Sequence, residues 1–142
     1  MPMLIEDLDQ IQEIESLSFT IPWSREAFVQ ELTANRFAHY ITVRDNSRVA
    51  AYGGMWLILN EAHITNLAVH PEYRRKGIGK ILIRGMIEYG ISRKIDSFTL
   101  EVRASNHIAL KLYEDLGFVK AGIRKGYYSD INEDAIIMWL EV

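Results

Sequence analysis

Apolar residues in the first quarter of the chain recur at helical spacing, and this pattern predicts two helices. The first is expected to end before Pro22, because proline cannot continue a helix, and Ser24 is a typical N-cap for the second. The apolar positions of the first helix follow one another at intervals of three: Leu8, Ile11, Ile14 and Leu17. Ahead of it, residues 3–5 are predicted as a short edge strand.

The hydrophobic pattern changes after residue 37, and the new pattern predicts β-strands. Residues 38–44, 49–59 and 63–70 are rich in β-branched and aromatic side chains, and residues 45–47 read Asp-Asn-Ser, a turn sequence. Three successive strands with no helix between them indicate an antiparallel meander.

The second half of the chain alternates helices with strands. Residues 98–103 alternate apolar with polar side chains, and two final strands are expected at residues 118–123 and 135–142. One amphipathic helix is indicated by five apolar positions: Ile78, Ile81, Leu82, Met86 and Tyr89. The next helix is expected to be capped by Ser105 and to end at Gly117. Four side chains are predicted on its buried face: Ile108, Ala109, Leu112 and Leu116.

This order of elements indicates an α/β fold. A strand–helix–strand order requires parallel pairing, whereas the meander is antiparallel, so we expect a mixed, mostly antiparallel central sheet flanked by helices. The 142 residues are 49% hydrophobic and 25% charged, which is ordinary globular composition. We therefore predict a single domain over residues 1–142.

Composition also excludes several classes of function. The chain has no cysteine, which rules out disulfides and a cysteine nucleophile, and its four histidines show no metal-ligand spacing, so no metal is predicted. A net charge of −3 argues against direct nucleic-acid binding. No apolar run approaches the ~20 residues of a membrane span, and no signal-peptide pattern begins the chain. We expect a cytoplasmic protein that does not bind membranes.

A basic, glycine-containing segment follows the third strand and is a candidate anion site. Its residues are Arg74, Arg75, Lys76, Gly77, Ile78, Gly79 and Lys80. Glycines let backbone N–H groups approach a phosphate, and a helix start adds unpaired donors. A P-loop is excluded because Ile81 follows Lys80, and a dinucleotide fingerprint because Leu82 stands where glycine or alanine is needed. Taken alone, the segment fits equally well a glycine-rich turn with a solvated charge cluster.

The segment resembles the pyrophosphate loop of the Gcn5-related N-acetyltransferase superfamily, which reads Arg or Gln, two variable residues, Gly, one variable residue, then Gly or Ala. The resemblance continues through Asn106 and Tyr113 to residues 116–118 and covers nearly the whole chain. It implies a GNAT fold and acetyl-CoA as acetyl donor. The implied contacts to the pantetheine arm come from the backbone of three residues: Leu67, Ala68 and Val69. Asn106 is implied to hydrogen-bond that arm, and Tyr113 is implied to lie close to the sulfur of the coenzyme. The alternative places Asn106 in the first turn of its helix and Tyr113 in packing on the sheet.

Glu101 and Tyr113 are the candidate acid–base residues. Acetyl transfer to an amine needs a group that takes the amine's proton, and a phenol can protonate the leaving thiolate. Without cysteine, direct attack by the amine in a ternary complex is the simplest route. The alternative for Glu101 is a salt bridge with Arg103 or a lysine.

Several motifs resemble more closely the bacterial family that acetylates the N-terminal alanine of a small-subunit ribosomal protein. These motifs lie at residues 21–24, 100–106, 109–114, 127–128 and 133–138. The resemblance implies Glu101 as general base, Tyr113 as general acid and a ribosomal protein N-terminus as acceptor. Trp23, Tyr127 and Tyr128 are the candidate acceptor-binding residues, although the two tyrosines fit packing between the last strands equally well.

The acceptor is less closely defined than the chemistry. Asn132 stands where these relatives often have glycine, in the loop between Tyr128 and Glu133 that is expected to border the acceptor. An α-amine has a pKa of about 7.7–8.0 and lysine about 10.4, which favours an N-terminus. Alternatives are a small amine or antibiotic, an internal lysine, a broader set of N-termini, or a non-catalytic acyl-CoA-binding module.

Overall fold

The structure is a computed structural model that describes residues 1–19, 22–128 and 133–142, in which four α-helices and six β-strands form. The helices are α1 (Leu8–Ser18), α2 (Arg25–Thr33), α3 (Ile78–Ser92) and α4 (His107–Asp115). The strands are β1 (Ala38–Asp45), β2 (Arg48–Ile58), β3 (Glu61–Val69), β4 (Ser97–Arg103), β5 (Val119–Tyr128) and β6 (Glu133–Glu141). No helix in these ranges is long and apolar enough to cross a membrane.

The six strands form one mixed sheet in the order β1-β2-β3-β4-β6-β5. All neighbours are antiparallel except β3 and β4, which α3 connects in parallel. The predicted meander and the predicted fold class, α/β with a mostly antiparallel sheet flanked by helices, are therefore confirmed.

The two faces of the sheet have different cover. On one face α3 and α4 bury a large cluster that includes Leu82, Met86 and Leu110, packed on alternate residues of the central strands. On the other face α1 and α2 bury a second cluster, with Ile11 and Phe28, over β1 to β3. Contacts of α1 and α2 with the sheet are concentrated on β1, β2 and β3. The half of this face formed by β4, β6 and β5 is therefore open for polar side chains.

The ends of several elements differ from the predictions. Residues 3–5 are not a strand, because Asp7 accepts a hydrogen bond from the Leu4 amide (2.8 Å) and closes a 3-10 turn; the pairing is one bridge between Pro2 and Ile41. Ser24 caps α2 as predicted, through the Ala27 amide.

The cap of α4 is Asn106, not Ser105, and one of the four side chains predicted on its buried face is exposed. The Asn106 side chain accepts from the Ala109 amide (3.1 Å), so the helix begins one residue later than expected. Leu110 and Tyr113 are buried, whereas Ile108 is 80% exposed. Ile81 on α3 and Leu17 on α1 are likewise exposed, contrary to prediction.

We expect Gly54→Ala to destabilise the protein by about 2–3 kcal/mol, because overpacking a filled core costs about that much. Tyr40 lies opposite Gly54 in the sheet, and its ring covers the position that a Cβ at residue 54 would occupy. Thermal melting measures the change. The matched control is Gly85→Ala in α3, where the nearest atom to a new Cβ is 3.9 Å away and where alanine should stabilise the helix by about 1 kcal/mol. Equal melting temperatures for both variants would contradict the packing argument.

Candidate active site

The site begins where β3 and β4 separate. Both strands lie wholly within the described residues, and they form three parallel pairs, of which the last joins His63 to Thr99. Just beyond it, the register of β3 against β2 shifts between Ile64 and Asn66, which leaves Thr65 as a bulge. The two strands thus enclose an opening, the β3–β4 gap.

A cleft of about 310 Å³ lies at the β3–β4 gap. Its walls come from β3, β4 and α4, from the end of α1 with the segment after it, and from the end of β5. Six residues predicted from the sequence line it: Trp23, Leu67, Glu101, Asn106, Tyr113 and Tyr128. The structure therefore brings together the candidate base, the candidate acid and part of the candidate acceptor wall.

The backbone of β3 presents polar groups to the gap at two of the three predicted positions. The His70 amide bonds to Ala50 on β2 (2.8 Å), so by the alternation of antiparallel pairs the N–H and C=O groups of Leu67 and Val69 point away from β2. Ala68 instead pairs with β2, and its side chain is buried in the cluster under α1 and α2.

The basic-glycine segment forms the entrance to α3. Gly77 is the N-cap residue and has the left-handed conformation, φ 75°, that favours glycine. The helix begins at Ile78, and its first hydrogen bond runs from the Ile81 amide to the Gly77 carbonyl (3.2 Å), so the preceding N–H groups point outward. A Cβ at Gly79 would lie 3.3 Å from Leu112 on α4, so glycine lets the two helices approach here.

The basic side chains of this segment have different surroundings. Arg74 turns toward the fold: its Nε donates to the Val69 carbonyl (3.0 Å), and its guanidinium donates to Ser18 on α1 (3.1 Å). Arg75 is exposed, and Lys76 lies over the ring of Tyr73. All three of these basic residues are exposed, and Arg74 in addition joins the segment to α1.

Glu101 lies on the polar face of β4, and its carboxylate contacts two basic side chains, His63 and Arg124. Its side chain is 11% exposed; Oε2 is 2.9 Å from His63 Nε2, and Oε1 is 3.5 Å from the Arg124 guanidinium. The hydrogen bond with His63 lowers the pKa of Glu101 below its ordinary value against the opposing effect of burial, and the charge of Arg124 acts in the same direction. The carboxyl group of Glu101 is therefore ionised at neutral pH. The alternative for this residue, a salt bridge, is also present, with Arg124 as its partner.

We expect His63→Leu to raise the pKa of Glu101 toward the ordinary value of about 4.3, because the bond it removes favours the ionised form. The kcat for an acceptor peptide should fall about 5-fold as the carboxylate loses this orientation. NMR titration of carbon-13-labelled glutamate measures the pKa. His63→Gln, which retains a donor, should restore most of both properties. An unchanged Glu101 titration in His63→Leu would contradict the role of this bond.

Tyr113 is in the second turn of α4 and its side chain is packed in the cluster under α3 and α4. It is 7% exposed, and its ring lies 5.8 Å from that of Phe118. Burial raises the pKa of the Tyr113 hydroxyl above its ordinary value, so the group keeps its proton at any physiological pH. The ring therefore packs in the core, as the alternative has it, and Tyr113 also lines the cleft with its hydroxyl protonated.

Of the three candidate acceptor-binding residues, Trp23 and Tyr128 line the cleft and Tyr127 does not. Tyr128 lines the cleft with the Arg103 guanidinium 4.2 Å from its ring centre, and burial raises the pKa of Tyr128 to about 12. Tyr127 packs on Tyr128 but is about half exposed and does not line the cleft. Residues 129–132, which include Asn132, lie outside the described residues.

Three polar residues of the site were not identified from the sequence. His63 holds Glu101; Asn66 and Glu15 line the cleft with 8% and 2% exposure, and burial raises the pKa of Glu15. Only alternation along residues 61–69 gave a signal, because it puts polar side chains on one face of a strand. Their partners come from other elements, and no spacing in the sequence reveals those pairings.

Comparison of the sequence with models of protein families identifies the family of the chain. The model described as the acetyltransferase (GNAT) family matches residues 8–118, which is more than half of the chain. The chain belongs to this acetyltransferase family. Membership confirms the resemblance predicted from the basic-glycine segment, and GNAT acetyltransferases use acetyl-CoA.

Individual relatives are similar over almost the full length. A protein of Bacillus subtilis (strain 168) is 43% identical over 99% of this chain and 93% of its own. The [ribosomal protein bS18]-alanine N-acetyltransferase of Escherichia coli (strain K12) is 39% identical, covering 96% and 92%. The crystal structure of the ribosomal-protein-S18-alanine N-acetyltransferase from Escherichia coli superposes with a TM-score of 0.91 at 36% identity, covering 100% and 92%. An N-alpha-acetyltransferase of Saccharolobus solfataricus is 34% identical, covering 94% and 87%. This GNAT protein is thus an N-acetyltransferase by family and by its relatives.

Proposed function

We propose that this GNAT protein transfers the acetyl group of acetyl-CoA to the N-terminal α-amine of a protein, and that the acceptor is the N-terminal alanine of ribosomal protein bS18. The observation that carries the proposal is the cleft at the β3–β4 gap, where an ionised Glu101 and a protonated Tyr113 line one space. The choice of acceptor is supported by the 39% identity to the Escherichia coli enzyme of that name.

Acetyl-CoA is proposed to bind on the face covered by α3 and α4. The N–H groups at the start of α3, together with Arg75, Lys76 and Lys80, would hold the pyrophosphate. The N–H and C=O groups of Leu67, together with the N–H group of Val69, would pair with the pantetheine amides, while the Val69 carbonyl accepts from Arg74. Because the Asn106 carbonyl oxygen caps α4, its amide nitrogen is the part that can reach the coenzyme.

The proposed reaction is direct attack. The amine nitrogen bonds to the thioester carbonyl carbon, and collapse of the tetrahedral intermediate breaks the carbon–sulfur bond. Glu101 accepts the proton that the amine loses, directly or through a water, and Tyr113 gives a proton to the departing thiolate. Oxyanion stabilisation is proposed to come from a β3 N–H group in the gap.

The electrostatics of Glu101 favour an α-amine over lysine. A carboxylate with a lowered pKa is a weak base, so it works best on an amine that is already partly neutral at pH 7. The pKa gap between an α-amine and lysine is about 2.5 units, or about 3.4 kcal/mol of deprotonation cost. An N-terminus meets this requirement and an internal lysine does not.

We further propose that residues 1–142 act as one catalytic domain in the cytoplasm, where ribosomal proteins are made. A broader N-terminal specificity is the second candidate, favoured by the 34% identity to an N-alpha-acetyltransferase.

Peptide-library acetylation read by mass spectrometry tests the function. Each peptide differs in its first residue, and half of the peptides also carry an internal lysine. We expect acetyl-CoA-dependent modification of the α-amine, with alanine preferred and a bS18 N-terminal peptide the best of the alanine set. Similar rates for Ala, Ser and Met would establish the broader specificity. Acetylation of lysine with no α-amine product would remove the proposed function.

A further inference from the structure

Asn66 stands at the end of a row of side chains that crosses the sheet on the α1–α2 face. Tyr40 on β1 lies opposite Gly54 on β2, and Gly54 lies opposite Asn66 on β3. Because Gly54 has no Cβ, the Tyr40 ring passes over it, and the Tyr40 hydroxyl lies 3.0 Å from the Asn66 amide atom assigned as the carbonyl oxygen. A glycine in the middle strand thus connects the side chains of two strands that are not neighbours.

The Tyr40 hydroxyl also contacts Glu31 on α2. Glu31 Oε1 is 2.9 Å from that hydroxyl and accepts a hydrogen bond from the Trp56 indole (2.7 Å), while Asn35 donates to Oε2 (2.7 Å). Glu31 is thereby held in one place by neutral donors from three elements. Tyr40 is 4% exposed, so its end of this hydrogen-bond network is shielded from water, whereas Glu31, Asn35 and Trp56 are half-buried.

One proton on Tyr40 decides the orientation of Asn66. A hydroxyl donates one hydrogen bond, and the Glu31 carboxylate, as the stronger acceptor, takes it. With that proton donated to Glu31, an Asn66 oxygen in the assigned position would face a lone pair of the hydroxyl, so the amide is better turned over, with its NH2 group donating to the Tyr40 oxygen. The two ends of an asparagine amide differ only in this assignment. The Asn66 carbonyl oxygen is then directed into the cleft that this residue lines.

Register places that oxygen across the β3–β4 gap from Glu101. His63 pairs with Thr99, and with Thr65 extruded as a bulge, Asn66 falls two positions further along β3, as Glu101 does along β4. Both side chains lie on the α1–α2 face, and both line the same cleft.

We propose that Asn66 is an acceptor-binding residue, whose carbonyl oxygen accepts a hydrogen bond from the attacking α-amine opposite Glu101. Two acceptors on opposite walls engage two N–H bonds of the amine, which directs the nitrogen lone pair at the thioester in the gap. Tyr40 is the positioning residue, because it acts only by fixing the Asn66 amide. The proposal rests on the proposed function, since it concerns how the same cleft holds its amine.

Steady-state kinetics on four proteins test the proposal: wild type, Asn66→Leu, Tyr40→Phe and the double variant, each with an Ala-started peptide and acetyl-CoA. We expect Asn66→Leu to lower kcat/KM for the peptide about 10-fold, the usual effect of losing a hydrogen bond to a charged or reacting group, with the KM for acetyl-CoA within about twofold. Tyr40→Phe should lower it about 3-fold. The double variant should equal Asn66→Leu alone, because Tyr40 has nothing left to orient.

The controls separate this proposal from the function and from folding. Asn60→Leu, at a turn where Asn60 bonds Asp96, is the matched substitution outside the cleft and should leave both kinetic constants unchanged. Calorimetric CoA binding and thermal melting verify folding; if Asn66→Leu does not fold, Asn66→Ala replaces it. Wild-type failure on every α-amine removes the proposed function. An active wild type with an unchanged Asn66 variant overturns the Asn66 assignment, as does a double variant whose loss is the product of the two single losses.

Discussion

Glu101→Gln is expected to lower kcat for an Ala-started peptide about 100-fold or more, with the dissociation constant for CoA nearly unchanged. General-base catalysis contributes about 100- to 10,000-fold, and glutamine keeps the shape of the side chain but cannot accept the proton. His63 and Arg124, which hold Glu101, remain to orient the amide. The rate at which free CoA thiol appears at saturating substrates gives kcat, and calorimetry measures CoA binding.

The lowered pKa of Glu101 also determines how the activities of wild type and Glu101→Gln should change with pH. The pKa of Glu101 is lowered, so the residue loses its negative charge only below its ordinary range near pH 4.3, and above pH 5 it stays ionised. Wild-type kcat/KM should rise between pH 6 and pH 8 as the acceptor amine deprotonates, and the variant should show the same rise at a lower level. Glu61→Gln, an exposed carboxylate at the start of β3, is the control. Full activity of Glu101→Gln at every pH would exclude Glu101 as the base.

Tyr113→Phe is expected to lower kcat about 100-fold while the fold stays intact. Phenylalanine preserves the ring that packs against Phe118 and removes only the hydroxyl. Burial raises the pKa of that hydroxyl, so in the wild type it carries a proton from pH 6 to pH 10 and can pass it to the thiolate throughout this window. Kinetics at saturating acetyl-CoA measure the loss.

Two observations separate the acid role of Tyr113 from packing. The melting temperature of Tyr113→Phe should match that of Tyr89→Phe, a control in α3 where the ring stacks on His39 outside the cleft. Tyr89→Phe should retain full kcat. If Tyr113→Phe keeps wild-type kcat, then the thiolate leaves unprotonated and Tyr113 serves only the core.

The fold was predictable because its elements carry strong local signals. The three-residue spacing in α1, the alternation in β4 and Ser24 as the cap of α2 are each decided within a few residues. The error at α4 shows the limit of such signals: Ser105 and Asn106 are both good caps, and the structure uses Asn106. Ile108 lies in the first turn and points to solvent, whereas Ala109, Leu112 and Leu116 pack against the core as predicted.

The residues of the candidate site were predictable only where they belong to a motif within one segment of the sequence. The basic-glycine loop, Glu101 and Tyr113 lie in recognisable motifs, and their roles stay predictions. His63 and Asn66 depend on the point at which β3 parts from β4 and on the bulge at Thr65. Those features come from the packing of whole strands, which no local pattern encodes. Arg74 has bonds that its motif does not reveal, to Val69 and Ser18, and its contact with the coenzyme stays a prediction.

The β3–β4 gap has a consequence for how new specificities arise. The sheet separates the two halves of the proposed site, and the β3–β4 gap connects its two faces. The groups assigned to the coenzyme lie on the α3–α4 face, whereas Glu101, His63 and Asn66 lie on the α1–α2 face. Substitutions on the second face can therefore exchange one acceptor for another without repacking the coenzyme face. Because of this separation, acceptor specificity can change by single substitutions during evolution, and the α1–α2 face is the part of the protein to redesign for a new acceptor.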